Sequence, residues 1–138
     1  MLQPPEDAFS HTIAVQAGDI DELGHVNNVV YLRWVQEVAA AHWQHHAPAT
    51  IQDNYSWVVL RHEIDYHRPA FAQDQIRGYT WVGDHQGPKI IRYVALYRTE
   101  DKQLLAEAVT TWCLLDATSL RPRRITEEVT NTFTNSAQ

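Results

Sequence analysis

The clearest pattern in the chain is a helical one between Asn28 and about His46. Val30, Trp34, Val38 and Ala41 recur at helical spacing, Tyr31, Val35 and Ala39 widen the stripe, and Pro48 ends it. A stripe that covers so much of the circumference predicts a buried helix. Upstream, Phe9 to Gln16 reads as a strand with Phe9, Ile13 and Val15 largely on one face, and Gly18 breaks it. Downstream the period becomes two. Leu60, Ile64 and Tyr66 alternate with Arg61, Glu63 and Asp65 up to Pro69, and Gln75 to Val82 is rich in aromatic and β-branched residues. Gly83 to Pro88 reads as a turn and Ile90 to Arg98 alternates again. In the last strand, Leu104 to Leu115, one face carries Leu104, Ala106, Ala108, Thr110, Trp112 and Leu114, whose small central residues would admit a helix at close range. A short polar helix is expected after Thr126, with Glu127 and Glu128 in its first turn, where carboxylates favour the helix dipole.

The order is strand, one long helix, then four antiparallel strands, an α+β arrangement. Without repeats or linkers, residues 1–138 read as one domain with its core in about 9–125 and a short helix or tail beyond. One helix covers only one patch of a five-stranded sheet. The remaining face and the open edges therefore predict a homodimer, with a dimer of dimers through the outer sheet face left open.

Composition excludes more than it identifies. With 44% hydrophobic and 20% charged residues, the 138-residue chain is ordinary globular material. The formal charge of −6 argues against nucleic acid as a partner, and no apolar run is long enough for a membrane span. The start, MLQPPEDAFS, lacks the basic and apolar regions of a signal peptide, and a lone cysteine, Cys113, suits a reducing cytoplasm.

The chemically informative stretch runs from Asp19 to Trp34, between the first strand and the helix. Gly24 permits a tight turn, and Asn27 or Asn28 is a good N-cap. The first helical turn offers free N–H groups and a partial positive charge, which can bind an oxyanion without a charged side chain. A carboxylate a few residues upstream, Asp21, can face the same point. Turn and cap residues before a helix are also common without any chemistry, and spacing alone does not separate the two readings.

The order of residues does. Asp21, Gly24, His25-Val26-Asn27-Asn28 and Tyr31 resemble the signature of the thioesterase branch of the hotdog superfamily, which includes 4-hydroxybenzoyl-CoA thioesterases and long-chain acyl-CoA thioesterases. Ile64-Asp65-Tyr66-His67-Arg68-Pro69-Ala70 and Trp112-Cys113-Leu114-Leu115-Asp116 are similar to two further segments of that family, so the likeness spans Phe9 to Ile125. The resemblance implies a hotdog fold, a long central helix wrapped by a five-stranded antiparallel sheet, and hydrolysis of an acyl-CoA thioester. It implies Asp21 as the catalytic carboxylate and the backbone N–H of Asn28 as the group that polarises the thioester carbonyl. His25 and Asn27 match polar neighbours in the site, and Tyr31, which ends the signature, is a substrate-side candidate. Asp65 matches a later acidic residue of the plant acyl-ACP branch and is a secondary candidate. In the plant acyl-ACP branch a histidine matching His25 is considered catalytic, but that branch has Asn where this chain has Leu23. Glu37 falls in a segment that departs from the family pattern and takes no role.

A thioester carbonyl is already electrophilic and a thiolate leaves readily. An oxyanion donor and a nucleophile or base therefore suffice, and neither cofactor nor metal is expected. The helical spacing of His42, His45 and His46 is read as a solvated helix end, and Cys113 as a small buried hydrophobe. Arg121, Arg123 and Arg124 are candidates for the CoA phosphates, against a solvated-loop alternative, and Arg68, Lys89 and Arg92 are similar candidates ranked below them. Two other functions compete: a non-catalytic acyl-thioester-binding protein of the same fold, and an acyl-ACP thioesterase. A dehydratase of this fold is disfavoured because its His-Phe-Pro-Gly type loop is absent.

Overall fold

The computed structural model describes residues 1–134, so the last four residues of the 1–138 domain lie outside the described residues. Strand β1 (Phe9–Ala14) is followed by helix α1 (Asn28–His46), a short α2 (Ala49–Asn54), strands β2 (Tyr55–Tyr66), β3 (Gln75–Gln86), β4 (Lys89–Arg98) and β5 (Leu104–Asp116), and helix α3 (Glu127–Thr134). The strands form one antiparallel sheet in the order β1-β3-β4-β5-β2, with α1 on its inner face.

The bounds of α1 match the pattern that predicts it. Trp34, Val35 and Val38 are essentially inaccessible and pack with Ile76, Val94, Leu96, Leu105, Ala106 and Ala108 of the sheet. The closest approach differs from expectation. The tightest point is at Gly78 of β3, where an added Cβ would lie 2.5 Å from Val38 Cγ2, rather than on the alanines of β5. Those alanines still line the same core.

Four elements depart from the sequence reading. α2 was not expected, and β2 begins at Tyr55 rather than Leu60. A bulge at Leu60, between Val59 and Arg61, shifts the pairing with β5 and breaks the alternation that the first half of β2 would otherwise display. β3 runs on to Gln86, into the Gly83–Pro88 turn, with an irregularity in its pairing with β4 between Val82 and His85. Helix α3 is amphipathic rather than simply polar. Val129 and Phe133, four apart, bury themselves with Ile51, Tyr55, Ile90 and Leu114 in a second cluster. Helices α2 and α3 thus cover part of the inner face that the sequence reading left to a second copy.

His42 corrects another expectation. It is 2% exposed rather than solvated, because its ring stacks on Phe9 at 4.9 Å and accepts a bond from Arg92. Cys113 is buried, as a small hydrophobe.

Two edges remain. β1 is short, whereas β2 is twelve residues long and presents Val58, Leu60 and Tyr66 to solvent. A long apolar edge invites pairing with another strand. Among the described residues no helix is long and apolar enough to cross a membrane.

Candidate active site

The residues between β1 and α1 fold back on themselves. Asp21 N–H donates to the His25 carbonyl (2.7 Å), Gly24 N–H to the Asp21 carbonyl (3.1 Å), and Ile20 and Val26 form an isolated antiparallel bridge. Gly24 closes the turn at φ +82°, a conformation side chains other than glycine's disfavour. The Asp21 side chain braces this loop through one oxygen only. Oδ1 accepts the N–H groups of Leu23 (2.9 Å) and His25 (3.2 Å), while among the described residues Oδ2 meets no donor.

The loop delivers the chain into α1 through Asn27, whose Oδ1 caps the helix by accepting Val29 N–H at 3.0 Å. Asn27 N–H itself is taken by the Asp19 carbonyl and Val30 N–H by the Asn27 carbonyl. Between them, the N–H of Asn28 has no acceptor among the described residues. A free amide at the positive end of a nineteen-residue helix is what an oxyanion requires.

Asp21, His25, Asn27 and Asn28 line one cleft of about 450 Å³, together with Tyr31, Tyr66, His67 and Arg68. Six of the sequence candidates therefore converge there: Asp21, His25, Asn27, Asn28, Tyr31 and Arg68. Tyr31 has a structural part besides lining the cleft. It is 2% exposed, and its hydroxyl oxygen accepts the Ala70 N–H at 2.8 Å, so it ties the end of β2 to the start of α1. Burial raises its hydroxyl above the usual tyrosine range. With Val26 N–H donating to the Ala70 carbonyl (2.9 Å), Ala70 is held from both sides and fixes the cleft wall.

Asp65 is not brought to the cleft. Side chains alternate along β2, so Tyr66 lines the cleft and Asp65 lies exposed on the other sheet face, opposite Glu107. Nor are Arg121, Arg123 and Arg124. They follow β5 at the Tyr55 end of β2, about 36 Å along the strand from Tyr66. Arg123 is also engaged already, paired with Asp116 at 3.0 Å and lying over the Tyr55 ring at 4.7 Å. Arg121 and Arg124 are exposed.

His67, read from the sequence as a surface or packing residue, lines the cleft as well. Its Nε2 lies 2.6 Å from Glu107, which also accepts the Leu2 N–H at 2.6 Å. Burial alone would raise the Glu107 carboxyl, but the bonds from Leu2 and His67 outweigh it and hold that carboxyl below its usual range. The signal for His67 was present in the Tyr66-His67-Arg68-Pro69-Ala70 segment. The strand ends at Tyr66, and the turn beyond it, whose His67 and Arg68 N–H groups both donate to the Leu105 carbonyl, sets His67 at the margin of the cleft while its ring reaches Glu107.

Comparison with known proteins gives a consistent result. A family model described as the thioesterase-like superfamily matches residues 15–133. A solved thioesterase-superfamily protein from Jannaschia sp. superposes with a TM-score of 0.88 at 18% identity, over 98% of this chain and 96% of its own. A 1,4-dihydroxy-2-naphthoyl-CoA thioesterase from Synechocystis superposes at 0.80 with 15% identity, over 95% and 98%. A Thermus thermophilus thioesterase complexed with coenzyme A and Zn superposes at 0.80 with 21% identity, over 94% and 93%. The architecture is the hotdog fold expected from the sequence. No curated protein matches the chain.

Proposed function

We propose, from the premise that this chain belongs to the thioesterase-like superfamily and is a thioester hydrolase, that its substrate is an acyl-CoA and that Asp21 supplies the nucleophile or general base. One observation carries the reading: the Asp21 carboxylate, with one oxygen uncommitted, shares a cleft with the uncommitted N–H of Asn28. The thioester carbonyl oxygen would rest against that N–H, where charge develops as the tetrahedral centre forms. Oδ2 of Asp21 would then attack the carbonyl carbon and expel the CoA thiolate, giving an anhydride that water hydrolyses. Alternatively it would remove a proton from the water that attacks that carbon, as the C–S bond breaks and the thiolate leaves. His25, whose ring packs edge-on against Phe71 at 5.2 Å, and Asn27 shape the polar side of the cleft. The coenzyme A in the Thermus thermophilus and Staphylococcus aureus relatives supports CoA as the carrier. Thiol release measured across a panel of acyl-CoAs and acyl-ACPs tests this directly. Turnover of acyl-ACP alone would move the substrate class, and binding without release would favour a non-catalytic acyl-binding role. A cytoplasmic location belongs to the same reading.

The assembly that fits this reading is a two-fold dimer through β2. A two-fold axis through the middle of an edge strand pairs it antiparallel with its copy, so the Tyr55 end of one meets the Tyr66 end of the other. That arrangement would bring the partner's Arg121 and Arg124 to the mouth of the cleft, although within one chain they lie far from it. The pairing would also cover Val58 and Leu60. Light scattering should therefore give a dimer as the smallest active species, and a stable active monomer at micromolar concentration would rule the arrangement out.

A kinetic result should follow from that geometry. Arg121→Ala together with Arg124→Ala should raise KM severalfold with kcat nearly unchanged, because phosphate contacts persist unaltered through the chemistry. The effect should shrink with added salt. An unchanged KM at low salt would assign both side chains to solvent.

A further inference from the structure

A second cavity, of about 350 Å³, lies at the other end of α1. It is lined by Ala40 and Trp43 of α1, Trp57 of β2, Arg92 of β4, Trp112 of β5 and Phe133 of α3, among others. Tyr31 and Trp43 are twelve residues apart on the helix, about 18 Å along its axis, and Trp34, Val35 and Val38 fill the space between. The two cavities share no lining residue.

Arg92 is 4% exposed, yet among the described residues no carboxylate pairs with it. Its Nη1 donates to His42 Nδ1 at 3.0 Å and to Thr80 Oγ1 at 2.9 Å. Both partners are uncharged. The Thr80 hydroxyl donates its own proton to the Tyr93 carbonyl at 2.8 Å. A guanidinium has no acceptor, so the His42 nitrogen facing it carries no proton. Burial, then the Arg92 charge, with His46 and His45 adding less, pushes the His42 imidazole down to about 3. Burial pulls the Arg92 guanidinium down to about 9, which leaves it cationic at neutral pH. The Phe133 ring, 4.9 Å from its Cζ, offsets part of the missing counter-charge. The Arg92 Nε and Nη2 donors meet no acceptor among the described residues.

Those two N–H groups lie along one edge of the guanidinium plane and can take the two oxygens of one carboxylate. In the sheet register Arg92 pairs with Thr110 and Ile90 with Trp112, so Arg92 and Trp112 are diagonal neighbours on the inner face, and the Trp112 ring adds to the apolar wall. The walls suit a flat apolar body: Trp43 stands edge-on to Trp57 at 5.6 Å, and Phe133 lies 5.6 Å from Trp43 and 6.2 Å from Trp57. Few convergent polar groups in an apolar concavity of this size describe a small-molecule site.

We propose that this cavity is a second ligand site, separate from the Asp21 cleft of the same chain, which takes a flat aromatic carboxylate with its anionic group on Arg92. The inference does not depend on what the Asp21 cleft hydrolyses, although in the two-fold dimer proposed above this cavity, lined in part by Tyr55 and Trp57, would lie toward the partner's cleft.

Cinnamate is a suitable probe and cinnamyl alcohol its uncharged counterpart. The five indole N–H resonances of the ¹⁵N-labelled full chain report position. Cinnamate should shift those of Trp43, Trp57 and Trp112 saturably and leave that of Trp81, on the outer face, unmoved. The alcohol should bind at least tenfold more weakly. Arg92→Met, of similar length but without charge, should weaken cinnamate at least tenfold. Ala40→Trp should do the same by filling the mouth, since Ala40 is exposed and leaves the Arg92 network intact, and it decides the matter where Arg92→Met does not fold. Asp21→Asn should bind cinnamate like the unaltered protein, which separates this result from the fate of the hydrolase reading. Equal affinity for acid and alcohol, shifts at Trp81 instead of the cavity tryptophans, or full affinity in Ala40→Trp would overturn the proposal.

Discussion

Asp21→Asn should lower kcat for thioester hydrolysis by on the order of 10²-fold or more while KM stays close to its original value. The structure explains why this substitution isolates the chemistry. The carboxamide oxygen can still accept the N–H groups of Leu23 and His25, the two bonds that Oδ1 makes to hold the turn. The amide nitrogen then occupies the place of Oδ2, the oxygen with no donor among the described residues, and cannot act as nucleophile or base. Folding should change little, because Asn serves such turns as well as Asp does. Glu22→Gln is the proper control: its neighbouring carboxylate is exposed and does not line the cleft. Asp19→Asn, two residues upstream, is a poorer control than its place in the sequence suggests. Asp19 is 4% exposed, accepts the Gln16 N–H at 2.9 Å and pairs with Arg33 at 2.9 Å, so its replacement would disturb the fold. Steady-state kinetics on the three proteins decide the case. A fully active Asp21→Asn enzyme would remove Asp21 from the mechanism and bring His25 and His67 forward.

Trp34→Ala should destabilise the protein by about 3–5 kcal/mol. Trp34 has no accessible surface and sits mid-helix against the sheet, so truncation leaves a large cavity in the main core. Against a typical total stability of roughly 5–15 kcal/mol, that loss removes much of the margin. The indole Nε1 is buried without a partner, so part of its burial is already unfavourable. Trp34→Phe should therefore recover most of the loss, since it keeps the ring and discards the orphaned donor. Urea midpoints at unchanged m-value measure both effects. Activity should fall in Trp34→Ala beyond the unfolded fraction. Tyr31 packs edge-on against Trp34 at 5.2 Å and holds Ala70 in the cleft wall, so a loosened Tyr31 loosens the site. Activity that tracks only the folded fraction would show the two regions to be uncoupled.

The sequence by itself determined whatever depends on neighbours along the chain. The limits of α1 followed from a repeat of apolar side chains and a terminating proline, because a helix closes its own hydrogen bonds within four residues. The turn from Asp21 to His25 and the cap at Asn27 were legible for the same reason: their bonds span at most four residues. Strand existence was readable where alternation held, and failed at the start of β2, where the bulge at Leu60 inverts the faces.

Only the tertiary structure decided what depends on distant segments. Asp65 shares a motif-like stretch with Tyr66 yet faces away from the cleft, because alternation puts neighbours on opposite sides of a sheet. The basic cluster at Arg121–Arg124 lies at the wrong end of β2 within one chain, a consequence of the antiparallel pairing of β2 with β5. His67 lines the cleft and is held by Glu107, forty residues on, a contact the chain order does not show. His42 and Arg92, fifty residues apart, gave no sign of each other in sequence, since the burial of a charged or polar side chain is set by what packs over it. Here Phe9, Phe133 and the far end of α1 do that packing, from three segments that meet only when the chain has folded.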